Sequence, residues 1–149
     1  MLGLYQSLSI TGPLPQGYVS TEVSKFSPEE IREVIASLIA EGNESLADAL
    51  CDAGLAMYPE SQDILAISGL IAMSRSEWKR AVSTFEELLE LQIEQPQPYT
   101  HLMLIRALRC EGELVGALNV CIRAHELFPK NVDLEREFEG LTKVLGFAG

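Results

Sequence analysis

Residues 77–91 read EWKRAVSTFEELLEL, and the fold turns on how this stretch is read. Trp78, Ala81, Val82, Phe85, Leu88 and Leu89 recur at i, i+3, i+4, i+7, i+10 and i+11, one continuous apolar stripe on a helix. Lys79, Arg80, Ser83, Glu86, Glu87 and Glu90 fall on the other face. Cations stand in the first turn and carboxylates in the last, against the helix macrodipole, so local electrostatics oppose this helix. Packing has to hold it, and a lone amphipathic helix needs neighbours.

The chain supplies them at nearly fixed spacing. Ala47, Ala81 and Ala117 each open an apolar stripe, thirty-four and thirty-six residues apart, and four places further on stand Cys51, Phe85 and Cys121. Pro59 and Pro129 follow an aromatic (Tyr58, Phe128) at the end of the outer two units, seventy residues apart, the sum of the two alanine spacings. Gly42, Ser76 and Gly112 fall at the turn before each stripe. Each unit therefore reads helix, tight turn, helix, then a proline or polar loop.

These residues resemble the tetratricopeptide repeat, whose pattern over thirty-four residues is W-x2-L-G-x2-Y, A-x3-F and P. The middle unit matches in Leu65, Gly69, Ala81 and Phe85, the first in Gly42, Ala47 and Pro59, the third in Gly112, Ala117, Ala124 and Pro129. Ile31, Leu65 and His101 depart from the tryptophan, Leu38, Ala72 and Leu108 from the tyrosine, and Ile93 from the proline of the middle unit. The resemblance implies an all-α, right-handed α-solenoid of about three helix pairs, over about residues 28–59, 62–95 and 98–129, within a domain of residues 26–147.

Local chemistry places the helices. Ser27, Pro28 and Glu30 form a capping box with proline at the first helical position, and Phe26 with Ile31 forms the hydrophobic staple. That helix runs to about residue 41 and stops at Gly42. Asn43 caps the second, to about residue 57, and Ser61 opens the third, to about residue 73. The fifth starts near Pro98 and reaches Cys110, and the sixth covers about residues 113–128. Asn131 caps a last helix to about residue 145, with Leu134, Phe138, Leu141 and Leu145 on one face and Glu135, Arg136, Glu137 and Glu139 on the other. It reads as a solvating cap for the final repeat.

Residues 1–25 hold Gly3, Gly12, Pro13, Pro15 and Gly17, with Leu2, Leu4, Tyr5, Leu8 and Ile10 ahead. The plain reading is a flexible N-terminal arm. The sharper one docks the apolar cluster on the chain's own groove, or on a second copy in a homodimer.

Composition narrows the function. The chain has 149 residues, room for a sizeable core, and is 47% hydrophobic. Its 22 acidic residues against 11 basic give a formal net charge of −11, which disfavours nucleic acid and anionic membranes as partners. No apolar run is long enough to insert in a membrane, and no lysine or arginine precedes Lys25. Three cysteines are an odd number, expected of a reducing cytoplasm.

No catalytic residue, metal or cofactor is expected. Cys121 and His125 are four apart, with His101 and Cys110 in the preceding helix, yet CxxC and HxxxH spacings are missing. Cys51 and Cys121 sit at the repeat's core-facing phenylalanine position and read as buried, inert thiols. Neither histidine lies in a nucleophile-bearing turn, and paired carboxylates such as Glu86 and Glu87 read as solvating charge.

Recognition remains. In tetratricopeptide arrays the first helix of each unit lines a concave groove. The resemblance places on it Glu29, Arg32, Ala36 and Ile39, then Asp63, Ala66, Leu70 and Met73, then Tyr99, Leu102, Arg106 and Arg109. Such a floor would be apolar at its centre with three arginines toward its ends, suited to a protein or peptide client. The plain alternative has Leu70, Met73 and Leu102 packing between helices. The arrays that clamp a chaperone's C-terminal carboxylate use polar partners where Ala36, Ala66 and Leu70 stand, so a carboxylate would lack most of its donors. Size, acidity and three repeats after an apolar arm are similar to the bacterial type III secretion chaperones, which hold translocator or needle subunits soluble before export. The competing expectation is a scaffold subunit joining folded proteins.

Overall fold

In a computed structural model the described residues are 25–146, and apart from Lys25 the N-terminal arm lies outside them. Seven helices occupy this range, with no strand among the described residues: α1 (Pro28–Ala40), α2 (Glu44–Met57), α3 (Gln62–Ser74), α4 (Trp78–Leu91), α5 (Pro98–Glu111), α6 (Leu114–Leu127) and α7 (Val132–Val144). The fold is all-α, and the helices follow the expected order. Two compact units divide the chain between Ile71 and Ala72, inside α3.

In the first unit the entry to α1 is fixed by its cap. The Ser27 N–H donates to Glu30 Oε1 and the Glu30 N–H to Ser27 Oγ, each at 3.2 Å. Hydrogen bonding to the Ser27 amide first, and to the Ser27 side chain second, holds the Glu30 carboxyl below the usual carboxylate range. Phe26 packs against the core that contains Ile31. The Tyr58 hydroxyl, just past the end of α2, donates to the Phe26 carbonyl at 2.6 Å and ties the start of the unit to its second helix. Ile31, Val34, Ile35 and Leu38 of α1, Ala47, Leu50 and Cys51 of α2, and Ile64, Ile67 and Ile71 of α3 are buried together. Gly54 permits this approach: a Cβ there would lie 3.0 Å from Ile64 Cδ1 and 3.3 Å from Ile31 Cγ2.

In the second unit α4 is held by packing, as its charges require. Ala81, Phe85 and Leu88 are buried, and no side chain caps its N-terminus. Its neighbour α5 is buried almost all round, at Thr100, His101, Leu102, Met103, Leu104, Ile105 and Ala107. A helix buried on every side is the core of its unit, and α5 touches α4, α6 and α7. His101 takes the tryptophan position of the repeat; its Nδ1–H donates to the Gln97 carbonyl at 2.8 Å, and its ring meets Phe128 edge-on at 5.5 Å.

The three turns share one geometry. Gly42, Ser76 and Gly112 have φ of 82°, 58° and 89°. Each donates its N–H to the carbonyl three residues back, and the next residue donates to the carbonyl five residues back: Asn43 to Leu38, Glu77 to Ala72, Glu113 to Leu108. This is the Schellman closure, which favours glycine because a Cβ is strained there. Ser76 carries that strain in the middle unit.

Ser76→Gly should therefore raise stability by ~1 kcal/mol and Gly112→Ala lower it by about the same, read as opposite shifts in thermal unfolding midpoint. Gly54→Leu should cost ~2 kcal/mol, because neither Ile31 nor Ile64 can withdraw from a packed core; denaturant melts check this.

Candidate interaction surfaces

The residues assigned to a groove divide between the two units. In the first, Arg32 and Ala36 lie one turn apart on α1 and are exposed, while Ile39 packs against the core. On α3, Ala66 is half-buried and Leu70 is 37% exposed. Glu29 of α1 and Asp63 of α3, also assigned to the groove, are exposed as well, so the exposed positions in this unit carry one guanidinium and two carboxylates beside Ala36 and Leu70.

In the second unit Met73 is half-buried, Tyr99 is 53% exposed, and Leu102 is only 7% exposed. Leu102 thus sits in the core around α5, as the plain alternative has it. Arg106 and Arg109, three residues apart on α5, both reach Glu137 of α7. Arg106 Nε lies 3.2 Å from Glu137 Oε1, and an Arg109 amino group donates to Glu137 Oε2. The Arg109 guanidinium rests over Gly140, 3.6 Å from where a Cβ would stand.

This corrects the reading of α7. Glu137 was expected on the solvent face with Glu135, Arg136 and Glu139; those three are exposed, but the Glu137 side chain is 13% exposed and turned to α5. The signal lies in the spacing, since Glu137 is three residues after Leu134 and four before Leu141, both buried. It stands on the apolar stripe, and two guanidinia make its burial tolerable.

The pair acts on the thiol beside it. Burial pushes the Cys121 thiol up to about 11, the Glu137 carboxylate adds to this, and Arg109 opposes it. Cys51 is also buried and Cys110 exposed. His125 stacks on Phe138 at 6.1 Å. Among the described residues no group of three or more histidines, cysteines or carboxylates is placed to hold a metal ion, and no helix is long and apolar enough to cross a membrane. A maleimide reagent should label Cys110 alone in the native protein and all three thiols after unfolding, a difference that intact mass measures.

No family model and no curated protein matches the chain. Solved structures do. A MamA RS-1 ArsTM double mutant aligns at 14% identity and a TM-score of 0.72, covering 87% of this chain and 72% of that one. The first tetratricopeptide domain of Spaghetti (RPAP3), bound to the HSP90 peptide SRMEEVD, aligns at 15% identity and 0.71, over 80% and 93%. YrrB, a tetratricopeptide protein with an unusual peptide-binding site, aligns at 17% identity and 0.71, over 87% and 66%. At such identities the likeness concerns the backbone: the chain has the helical-repeat fold of tetratricopeptide proteins.

Proposed function

We propose that the three helix pairs form a non-enzymatic protein-binding module that shields an apolar segment of a client protein, in the manner of a small acidic cytoplasmic chaperone such as those of type III secretion. The carrying observation is the double pairing of Glu137. It occupies the two guanidiniums of α5 that could have received a client's carboxylate, so the exposed positions assigned to the groove that remain are Ala36, Leu70 and Tyr99, with Arg32 the one guanidinium among them and Glu29 and Asp63 adding negative charge. Spaghetti and YrrB, which share the fold, bind peptides. An apolar surface on a body of net charge −11 can cover a sticky segment while like-charge repulsion keeps the complex dispersed. A scaffold subunit is the second reading, favoured by exposed apolar side chains on other elements, among them Val115 and Ile122.

Two measurements separate these. The SRMEEVD peptide titrated into this protein should give no calorimetric signal; micromolar binding would show that Glu137 yields its arginines, and the apolar-client reading would fall. Leu70→Glu combined with Tyr99→Glu should abolish recovery of an aggregation-prone client from the native lysate. Recovery of folded partners by that variant, undiminished, would establish the scaffold instead.

A further inference from the structure

The second unit carries an apolar cleft of about 630 Å³ whose lining includes none of the groove residues nor Glu137. That is the size of sites that hold small ligands or a few side chains of a partner. Leu104, 2% exposed, and the half-buried Leu108 of α5 form its floor. Gly116 of α6 lines it too, where a Cβ would stand in ordinary contact with Leu108 Cδ2 at 3.8 Å. At its rim stand Leu127, 52% exposed, and Ile93, at 74% the most exposed large hydrophobic side chain among the described residues. Ile93 replaces the repeat's proline, in the connection that is two residues longer than its counterparts, a departure that the groove reading leaves unused.

Charge says what would enter. Glu86 and Glu90 line the cleft from α4, four residues apart and therefore on one face, where two carboxylates repel. They stand in the last turns of α4, whose C-terminus adds partial negative charge of its own. Arg123 also lines the cleft, so a single guanidinium stands there against two carboxylates. A cation placed along α4 would relieve the carboxylate repulsion and the unfavourable dipole together.

We infer that this cleft is a second docking site, for a segment of another protein that presents aliphatic side chains to Leu104 and Leu127 and a lysine or arginine to Glu86 and Glu90. A chain with two such surfaces could hold its client's apolar segment on one and a basic partner on the other. The inference stands independently of the groove reading, because it uses different residues.

The test uses a fluorescent peptide of leucines and lysines in helical register, its leucine–glutamate counterpart, and the full chain. The lysine peptide should bind, with amide shift changes confined to residues around Ile93 and Leu127. Ile93→Asp, an exposed substitution that spares the core, should weaken it by about tenfold or more. Glu86→Gln with Glu90→Gln should weaken it by a similar factor and flatten its salt dependence, while Leu70→Glu should leave it unchanged. Equal binding of the glutamate peptide, or shift changes spread over the whole acidic surface, would overturn the site in favour of unspecific attraction. Sedimentation showing a dimer that Ile93→Asp dissociates would overturn it too, by making a second copy of the chain the occupant.

Discussion

Every helix pair here reverses on one residue held in the left-handed region, and the packing of both units depends on that reversal. The two hydrogen bonds at Gly42, Ser76 and Gly112 close the first helix of each pair and launch the second within two residues. Within each unit the short link returns the second helix on the first, and α1 packs on α2 and α5 on α6. The apolar positions do the rest. Ala47, Ala81 and Ala117, the first buried residues after each turn, are fully buried.

With the turns set, helices that are poor on their own become stable. The sequence of α4 runs against its macrodipole and lacks a side-chain cap, yet the helix is complete from Trp78 to Leu91. Glu77 offsets some of this by pairing with Arg80 and Arg75, each at 3.2 Å. Exposed pairs of this kind contribute at most ~1 kcal/mol. Burial of Phe85 and Leu88 is worth several times that, on the order of 2 to 3 kcal/mol for each side chain. Tertiary packing therefore decides the helix, and its charges are left free to serve its outer surface.

That division explains what could be read in advance. Caps and turns are local, so Ser27, Asn43, Ser61 and Asn131 sit where their short polar side chains predict, each accepting from the amide three residues on. Ser76 was legible because repeat register, and not its own propensity, put it in the glycine position. Glu137 was not: a carboxylate on a helix rich in charge reads as solvation unless its partners, twenty-eight and thirty-one residues earlier, are known. Leu102 was misleading for the opposite reason, since it stands in helical register with Tyr99, Arg106 and Arg109 and yet is buried. The cleft of the second unit was invisible because its lining is drawn from α4, α5, α6 and the connection between α4 and α5, side chains far apart in the sequence.

The placement of Glu137 also changes what the net charge of −11 means. An acidic protein with free arginines in its groove would select acidic peptides at short range and repel them at long range. Here Arg106 and Arg109 are engaged with a carboxylate of their own chain, so the short-range and long-range electrostatics no longer conflict. Both disfavour an anionic partner. Encounter would be steered toward basic or neutral segments, and steering of this kind falls steeply with ionic strength. Affinity, by contrast, would come from apolar contact at Leu70, Tyr99 or the cleft around Leu104, and that term is insensitive to moderate salt. A partner that arrives by charge and stays by burial fits a chain in which Arg106 and Arg109 are engaged by the sheltered Glu137 while Glu86, Glu87 and Glu90 are exposed.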